Sequence, residues 1–253
     1  MQKRYFIKLS YLGTNYHGWQ IQPNAMTVQQ KINEALEILL RAPQMITGCG
    51  RTDTGVHASE FYAHLEIDFE KTRFPLEQMV YKLNSILPYD IAIQEIFEVD
   101  KDAHTRFDAS SRTYEYHIVT QKNPFKKDLS YQLPFKNVNF EGMNEAAKIL
   151  FEYSDFECFS KTGTDVNTFN CKIMKAEWNL EEDHLWVFTI QADRFLRNMV
   201  RAIVGTLLEV GQGKMSLQEF RAVIESKNRG NAGWSVPGQA LFLTKVEYPF
   251  LNH

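Results

Sequence analysis

The chain has 253 residues, 44% hydrophobic and 23% charged, with a mean hydropathy of −0.36. Those values fit a soluble globular protein with one large core or two smaller ones, and no uninterrupted apolar run is long enough to cross a bilayer. A net charge of −3 argues mildly against a nucleic-acid partner without excluding one, because local patches set the field a partner meets. In chain order, Ile7, Leu9 and Tyr11 alternate with Phe6, Lys8 and Ser10 and predict a first strand. That pattern begins almost at the N-terminus, which reads as the lack of a signal peptide. A polar loop follows over 13–23. Thr27 with Gln30 then reads as a capping box before Val28, Ile32, Leu36 and Leu39 at helical spacing. Phe61, Ala63, Leu65 and Ile67 alternate with Tyr62, His64, Glu66 and Asp68, the pattern of a half-buried strand. Pro75 opens a second helix carrying Leu76, Met79, Val80, Leu83 and Ile86, and a strand is predicted over 91–99.

The second half opens with a strand over 112–120. A helix over 141–151 follows, expected to bury Met143, Ala147, Leu150 and Phe151. Strands over 172–180 and 185–192 are joined by the hairpin signal Glu181-Glu182-Asp183-His184. The strongest helical pattern starts at Phe195. Its apolar face runs through Leu196, Met199, Val200, Ile203, Val204, Leu207 and Leu208, with Arg194, Arg197 and Arg201 on the other side and Gly211 or Gly213 at the end. Ser216 and Glu219 cap a further helix, and a last strand is expected over 241–248. Mixed order with hairpin-joined strands favours an α+β fold with a mainly antiparallel sheet. No low-complexity linker separates the halves, so one continuous sheet or a tight interface is expected.

Four groups could carry chemistry. Gly48-Cys49-Gly50-Arg51-Thr52-Asp53-Thr54-Gly55-Val56-His57-Ala58 sets Arg51 and Asp53 two residues apart in a glycine-punctuated loop. Such a loop can hold a carboxylate in place and ionised beside a guanidinium, as a nucleophile requires. It also suits a plain hairpin turn in which the aspartate caps backbone N–H groups, and residue chemistry leaves the two readings even. Arg112, Tyr114 and Tyr116 share one face of a strand, which suits either nucleobase stacking with a phosphate contact or a tyrosine ladder in a core. Arg201 borders the apolar side of its helix, where it could turn inward. Tyr16-His17-Gly18-Trp19-Gln20 could read nucleic acid or plug the end of a sheet. Two basic groups stand out, one of Lys101, Arg106, Arg112, Lys122, Lys126, Lys127 and Lys136, the other of Arg194, Arg197 and Arg201. Cys49, Cys158 and Cys171 lack metal-ligand spacing and read as reduced thiols of a cytosolic protein. Neither a zinc motif nor a phosphate loop is present.

In order along the chain stand Tyr11-Leu12-Gly13-Thr14-Asn15-Tyr16-His17-Gly18-Trp19-Gln20-Ile21-Gln22-Pro23, the block 50–58, Asn84-Ser85-Ile86-Leu87-Pro88-Tyr89-Asp90-Ile91, Arg106-Phe107-Asp108-Ala109 with Arg112-Thr113-Tyr114-Glu115-Tyr116, and Phe195-Leu196-Arg197-Asn198-Met199-Val200-Arg201 with Val204-Gly205. Together they resemble the TruA family of tRNA pseudouridine synthases over nearly the whole chain. The resemblance implies two pseudo-symmetric α/β halves, 1–105 and 106–253, sharing a central mainly antiparallel sheet with a cleft between them. It implies a cytoplasmic homodimer that isomerises uridine in the tRNA anticodon stem-loop, with no cofactor and no metal. By the same resemblance Asp53 is the nucleophile and Arg201 its basic partner. Tyr114 packs on the target base, Arg51 holds or moves the flipped nucleotide, and Leu241 is an apolar wall residue. Leu12 stands where the family usually has an aspartate, Ser154 where a histidine is common, and 232–241 departs from the usual pattern. Those departures keep a paralogue with altered RNA choice, or a non-catalytic RNA-binding module, as the alternatives. A magnesium-dependent hydrolase or phosphotransferase is disfavoured because no second acid follows Asp53 at close spacing.

Overall fold

The computed structural model describes residues 2–68, 74–134, 137–163 and 166–251; Lys136 of the first basic group lies outside them. The fold is α+β; among the described residues the strands are assigned to a nine-stranded, mostly antiparallel sheet. The chain divides into two compact units, Met1–Ser110 with Leu243–His253, and Ser111–Phe242.

In the first unit, β1 (Lys3–Tyr11) pairs antiparallel with β3 (His57–Ile67) on one side and β4 (Ile91–Glu98) on the other. The two-residue β2 (Thr47–Gly48) adds to β3, and β9 (Leu241–Glu247) follows β3 in strand order. Helix α1 (Val28–Leu40) begins where the sequence places it, but only half of the expected capping box forms. The Thr27 hydroxyl accepts from the Gln30 N–H at 3.3 Å, while the Gln30 amide donates to Glu34 instead. Helix α2 (Leu76–Ile86) buries Met79 and Leu83.

The half-buried reading of β3 is corrected. Tyr62 and His64, on its supposedly exposed face, are as buried as Phe61 and Leu65 on the other. Alternation predicts one wet face only when nothing covers it. Here residues 103–109 and 248–250 do: the Tyr248 ring meets Tyr62 edge-on at 5.2 Å, and its hydroxyl donates to the Thr105 carbonyl at 2.6 Å. Phe6, on that face of β1, packs against Tyr62, His64, Tyr248 and Phe250.

His64 lies 2.8 Å (Nδ1) from the Thr105 hydroxyl. Its pKa is pushed down to about 4, first by burial and then by the nearby His104 and Arg4. The ring is therefore neutral in the folded protein, whereas in the unfolded chain it takes a proton near pH 6.5. Its contribution to stability is complete above about pH 6.5 and is lost as the pH falls towards 4. His64→Gln should flatten the fall in unfolding free energy, read from urea titrations, between pH 6.5 and 4.5, by a difference on the order of 2 kcal/mol. Parallel curves of that free energy against pH for the two proteins would rule this out.

In the second unit, β5 (Ser111–Val119), β8 (Leu185–Ala192) and β7 (Ile173–Glu182) form an antiparallel ladder, and β6 (Tyr131–Gln132) adds parallel to β5. The β7–β8 hairpin turns at Asp183-His184, with His184 at φ 65°. Helix α3 (Phe140–Ile149) runs on into a 3₁₀ turn over Leu150–Glu152, which leaves Phe151 exposed rather than buried.

Helix α4 spans Met199–Gly211, four residues later than its pattern suggests. Arg194 and Arg197 therefore precede the helix instead of lining its polar side. Asn198, at φ 68°, occupies the cap position. Nor is the helix amphipathic: every residue except Arg201 and Glu209 is buried. Helix α5 (Leu217–Glu225) and α3 pack on it, and 232–236 closes another side through backbone contact at Gly205. At α5 both halves of the Ser216–Glu219 capping box form. Among the described residues no helix is long and apolar enough to cross a membrane.

Candidate active-site residues and family membership

The loop carrying Asp53 is held by its backbone. Cys49 donates to the Tyr62 carbonyl at 2.7 Å and Trp19 to the Thr52 carbonyl at 3.2 Å. Gly55 donates to the Tyr16 carbonyl at 3.3 Å, and Val56 to the Asp53 carbonyl at 3.1 Å. The Thr52 hydroxyl lies 2.9 Å from the buried Tyr11 hydroxyl. His57 Nδ1 accepts from the Gly13 N–H at 2.9 Å, which leaves the ring proton for Nε2 and employs this histidine in holding the loop.

Two glycines permit the stacking of 13–19 on this loop. A Cβ on Gly13 would lie 2.0 Å from the Val56 carbonyl oxygen; one on Gly18, at φ +85°, would lie 2.3 Å from that of Thr52. Asp53 is half-buried and Arg51 exposed. Burial also decides how the aromatic loop 16–20 is used. Trp19 stacks on Phe61 at 4.0 Å, and the Tyr16 hydroxyl donates to Asp90 Oδ1 at 2.5 Å. Both rings plug the end of the sheet.

In the second unit, Tyr114 is half-buried and meets the Phe195 ring edge-on at 5.2 Å. Arg112, on the same strand face, donates to the Asp193 carbonyl at 2.9 Å. Tyr116 is fully buried; its hydroxyl donates to the Pro237 carbonyl at 3.1 Å, and burial raises its pKa. Arg201 is clamped to the neighbouring residue: its Nε donates to the Val236 carbonyl at 2.7 Å, and the Val236 N–H donates back to the Arg201 carbonyl at 3.2 Å. The clamp occupies Nε. Leu241 is buried at the start of β9, just after a 3₁₀ turn over Gly238–Ala240.

The second unit thus brings Tyr114, Arg201 and Leu241 onto elements tied together by Tyr116 and 236–237. Asp53 and Arg51 share one loop of the first unit. Sequence reasoning missed the supports: Tyr11 behind Thr52, Phe195 behind Tyr114, and Val236 behind Arg201. The signal for the last was Gly205 with Gly233, a pair of small residues that lets two backbones touch.

A family model described as tRNA pseudouridine synthase matches residues 146–249. Over 247 residues the chain is 58% identical to tRNA pseudouridine synthase A of Parabacteroides distasonis, covering 98% of this chain and 96% of the relative. The chain belongs to the tRNA pseudouridine synthase A family. The protein of that name from Bacteroides fragilis is 55% identical, over 98% of this chain and 97% of its own length. That from Clostridium acetobutylicum is 38% identical, over 96% and 98%. Membership of the tRNA pseudouridine synthase A family therefore extends over both units, including the Asp53 loop that the family model does not reach. Among the described residues no cluster of three or more His, Cys, Asp or Glu side chains is arranged to hold a metal.

Proposed function

We propose that this protein isomerises uridine to pseudouridine in the anticodon stem-loop of tRNA, with Asp53 as the nucleophile. The observation that carries the proposal is the near end-to-end identity of more than half to relatives named tRNA pseudouridine synthase A. The chemistry suits the residues. The target base must first leave the stack, which costs a few kcal/mol. An ionised carboxylate then attacks the sugar or the base, or assists loss of the base, and the C1′–N1 bond breaks. The uracil turns, C1′ bonds to C5, any bond to the carboxylate breaks so that the free carboxylate returns, the C5 hydrogen leaves as a proton and N1 gains one. Atoms and electrons balance within the nucleotide, so no redox partner is needed.

The fixed backbone of the Asp53 loop supports a nucleophile that must not move. The half-buried Tyr114 ring supports packing against the turning base, and family resemblance assigns Arg201 as the basic partner of the carboxylate. Arg51, exposed beside Asp53, is assigned to the flipped nucleotide, and Leu241 to an apolar wall. A cytoplasmic homodimer, with both copies serving one tRNA, belongs to the same proposal; light scattering should return twice the mass of the chain.

The test is release of tritium from C5-labelled uridine in bulk tRNA by wild type and by Asp53→Ala. Release by wild type alone is the expected result. Release by neither, with tRNA binding intact, would favour a non-catalytic RNA-binding protein.

A further inference from the structure

Tyr89 is the most exposed large hydrophobic side chain among the described residues. A single exposed ring needs no explanation by itself; what distinguishes this one is its mounting. Tyr89 sits in a turn closed by the Ile91 N–H donating to the Pro88 carbonyl at 3.0 Å. The next residue, Asp90, is engaged on every side. Its Oδ1 accepts from the Tyr16 hydroxyl at 2.5 Å and its Oδ2 from the Asn15 amide at 3.0 Å. Its carbonyl accepts from the Leu12 N–H at 2.9 Å. Tyr16 in turn accepts from Gly55, two residues after Asp53. A fully exposed ring is thus joined through Asp90, Tyr16 and Gly55 to the loop that bears the proposed nucleophile, all within one unit. Leu12, beside the turn, is also exposed and uncharged.

We infer that Tyr89 is a stacking platform for an unpaired base of the RNA substrate near the target uridine, an inference that rests on the synthase reading above. Three properties point to this role. The ring offers a π-face with a hydroxyl at its rim, the form that stacks on bases regardless of their identity. Asp90 spends both carboxylate oxygens on the Tyr16 hydroxyl and the Asn15 amide, which holds the turn beside Tyr89 in place. The fixed Pro88–Ile91 turn presents the ring from a set backbone position in the same unit as Asp53.

The experiment measures kcat and KM for C5-tritiated tRNA transcript with wild type, Tyr89→Ala, Tyr89→Phe and, as a control, Tyr81→Ala, which removes another exposed tyrosine from α2. Tyr89→Ala should raise KM roughly tenfold, the scale of one lost base–aromatic stack, with kcat within about twofold and an unchanged melting temperature. Tyr89→Phe should keep KM within about twofold, and Tyr81→Ala should match wild type. The inference is overturned if Tyr89→Ala leaves KM unaltered, if Tyr89→Phe is as damaging as Tyr89→Ala, or if Tyr81→Ala raises KM equally. Wild type that releases no tritium would overturn the synthase reading, and this inference with it. An active wild type with an indifferent Tyr89→Ala would overturn this inference alone.

Discussion

Asp53→Asn should bind tRNA as wild type does and isomerise no uridine. The expected loss in single-turnover rate is on the order of 10⁴-fold or more, the scale on which enzymes lose activity with their nucleophile. The fold should survive, because the loop owes its position to the backbone bonds at Cys49, Thr52, Gly55 and Val56 and to the Tyr11–Thr52 contact. Asparagine also fills the same space and keeps one acceptor oxygen. Rapid-quench tritium release, filter binding and a thermal melt on one preparation make the comparison. A rate within a hundredfold of wild type would remove Asp53 from the centre of the reaction.

Gly205→Ala should cost about 3 kcal/mol or more of stability and lower the melting temperature by about 6–12 °C. The added Cβ would lie 1.8 Å from the Trp234 carbonyl oxygen, an overlap that no rotamer change relieves. Buried except at Arg201 and Glu209 and packed by α3 and α5, α4 has little room to shift away. The displaced segment is 232–236, held by Arg229 at the Ala232 and Gly233 carbonyls and by Asn198 at Ser235. It carries the Val236 end of the Arg201 clamp. Folded Gly205→Ala protein should therefore also turn over more slowly than wild type. A melting temperature within 2 °C of wild type would show that the helix and the segment can part without strain.

What could be read from the sequence was local and periodic. The β7–β8 hairpin and the cap of α5 follow from short-range patterns, and the structure places them within a residue or two of expectation. Position within the fold was not legible. Nothing in Tyr62 or His64 tells that a distant stretch, 248–250, will cover them. The start of α4 was misplaced because Phe195 and Leu196 continue its apolar pattern, while Asn198 adopts the left-handed conformation that stops the helix there. Of the candidate site, the residue types in the Asp53 loop and on β5 were legible. The partners that aim them were not: they come from segments far along the chain, through a hydroxyl at Tyr11, a ring at Phe195 and a backbone carbonyl at Val236.

Strand β9 bears on the order in which the protein is made. Residues 111–242 form one uninterrupted stretch, so the second unit is fully synthesised before the first. The first unit lacks the Phe6–Tyr248 packing, the bond from the Val246 N–H to Glu60 and that from the Ser110 N–H to the Glu247 carbonyl until 243–251 have emerged from the ribosome. The half bearing Asp53 begins its synthesis first and completes its core last. Through most of translation its Phe6, Tyr62 and His64 face lacks the part of its cover that 248–250 supply, which makes this nascent segment the natural client of a chaperone.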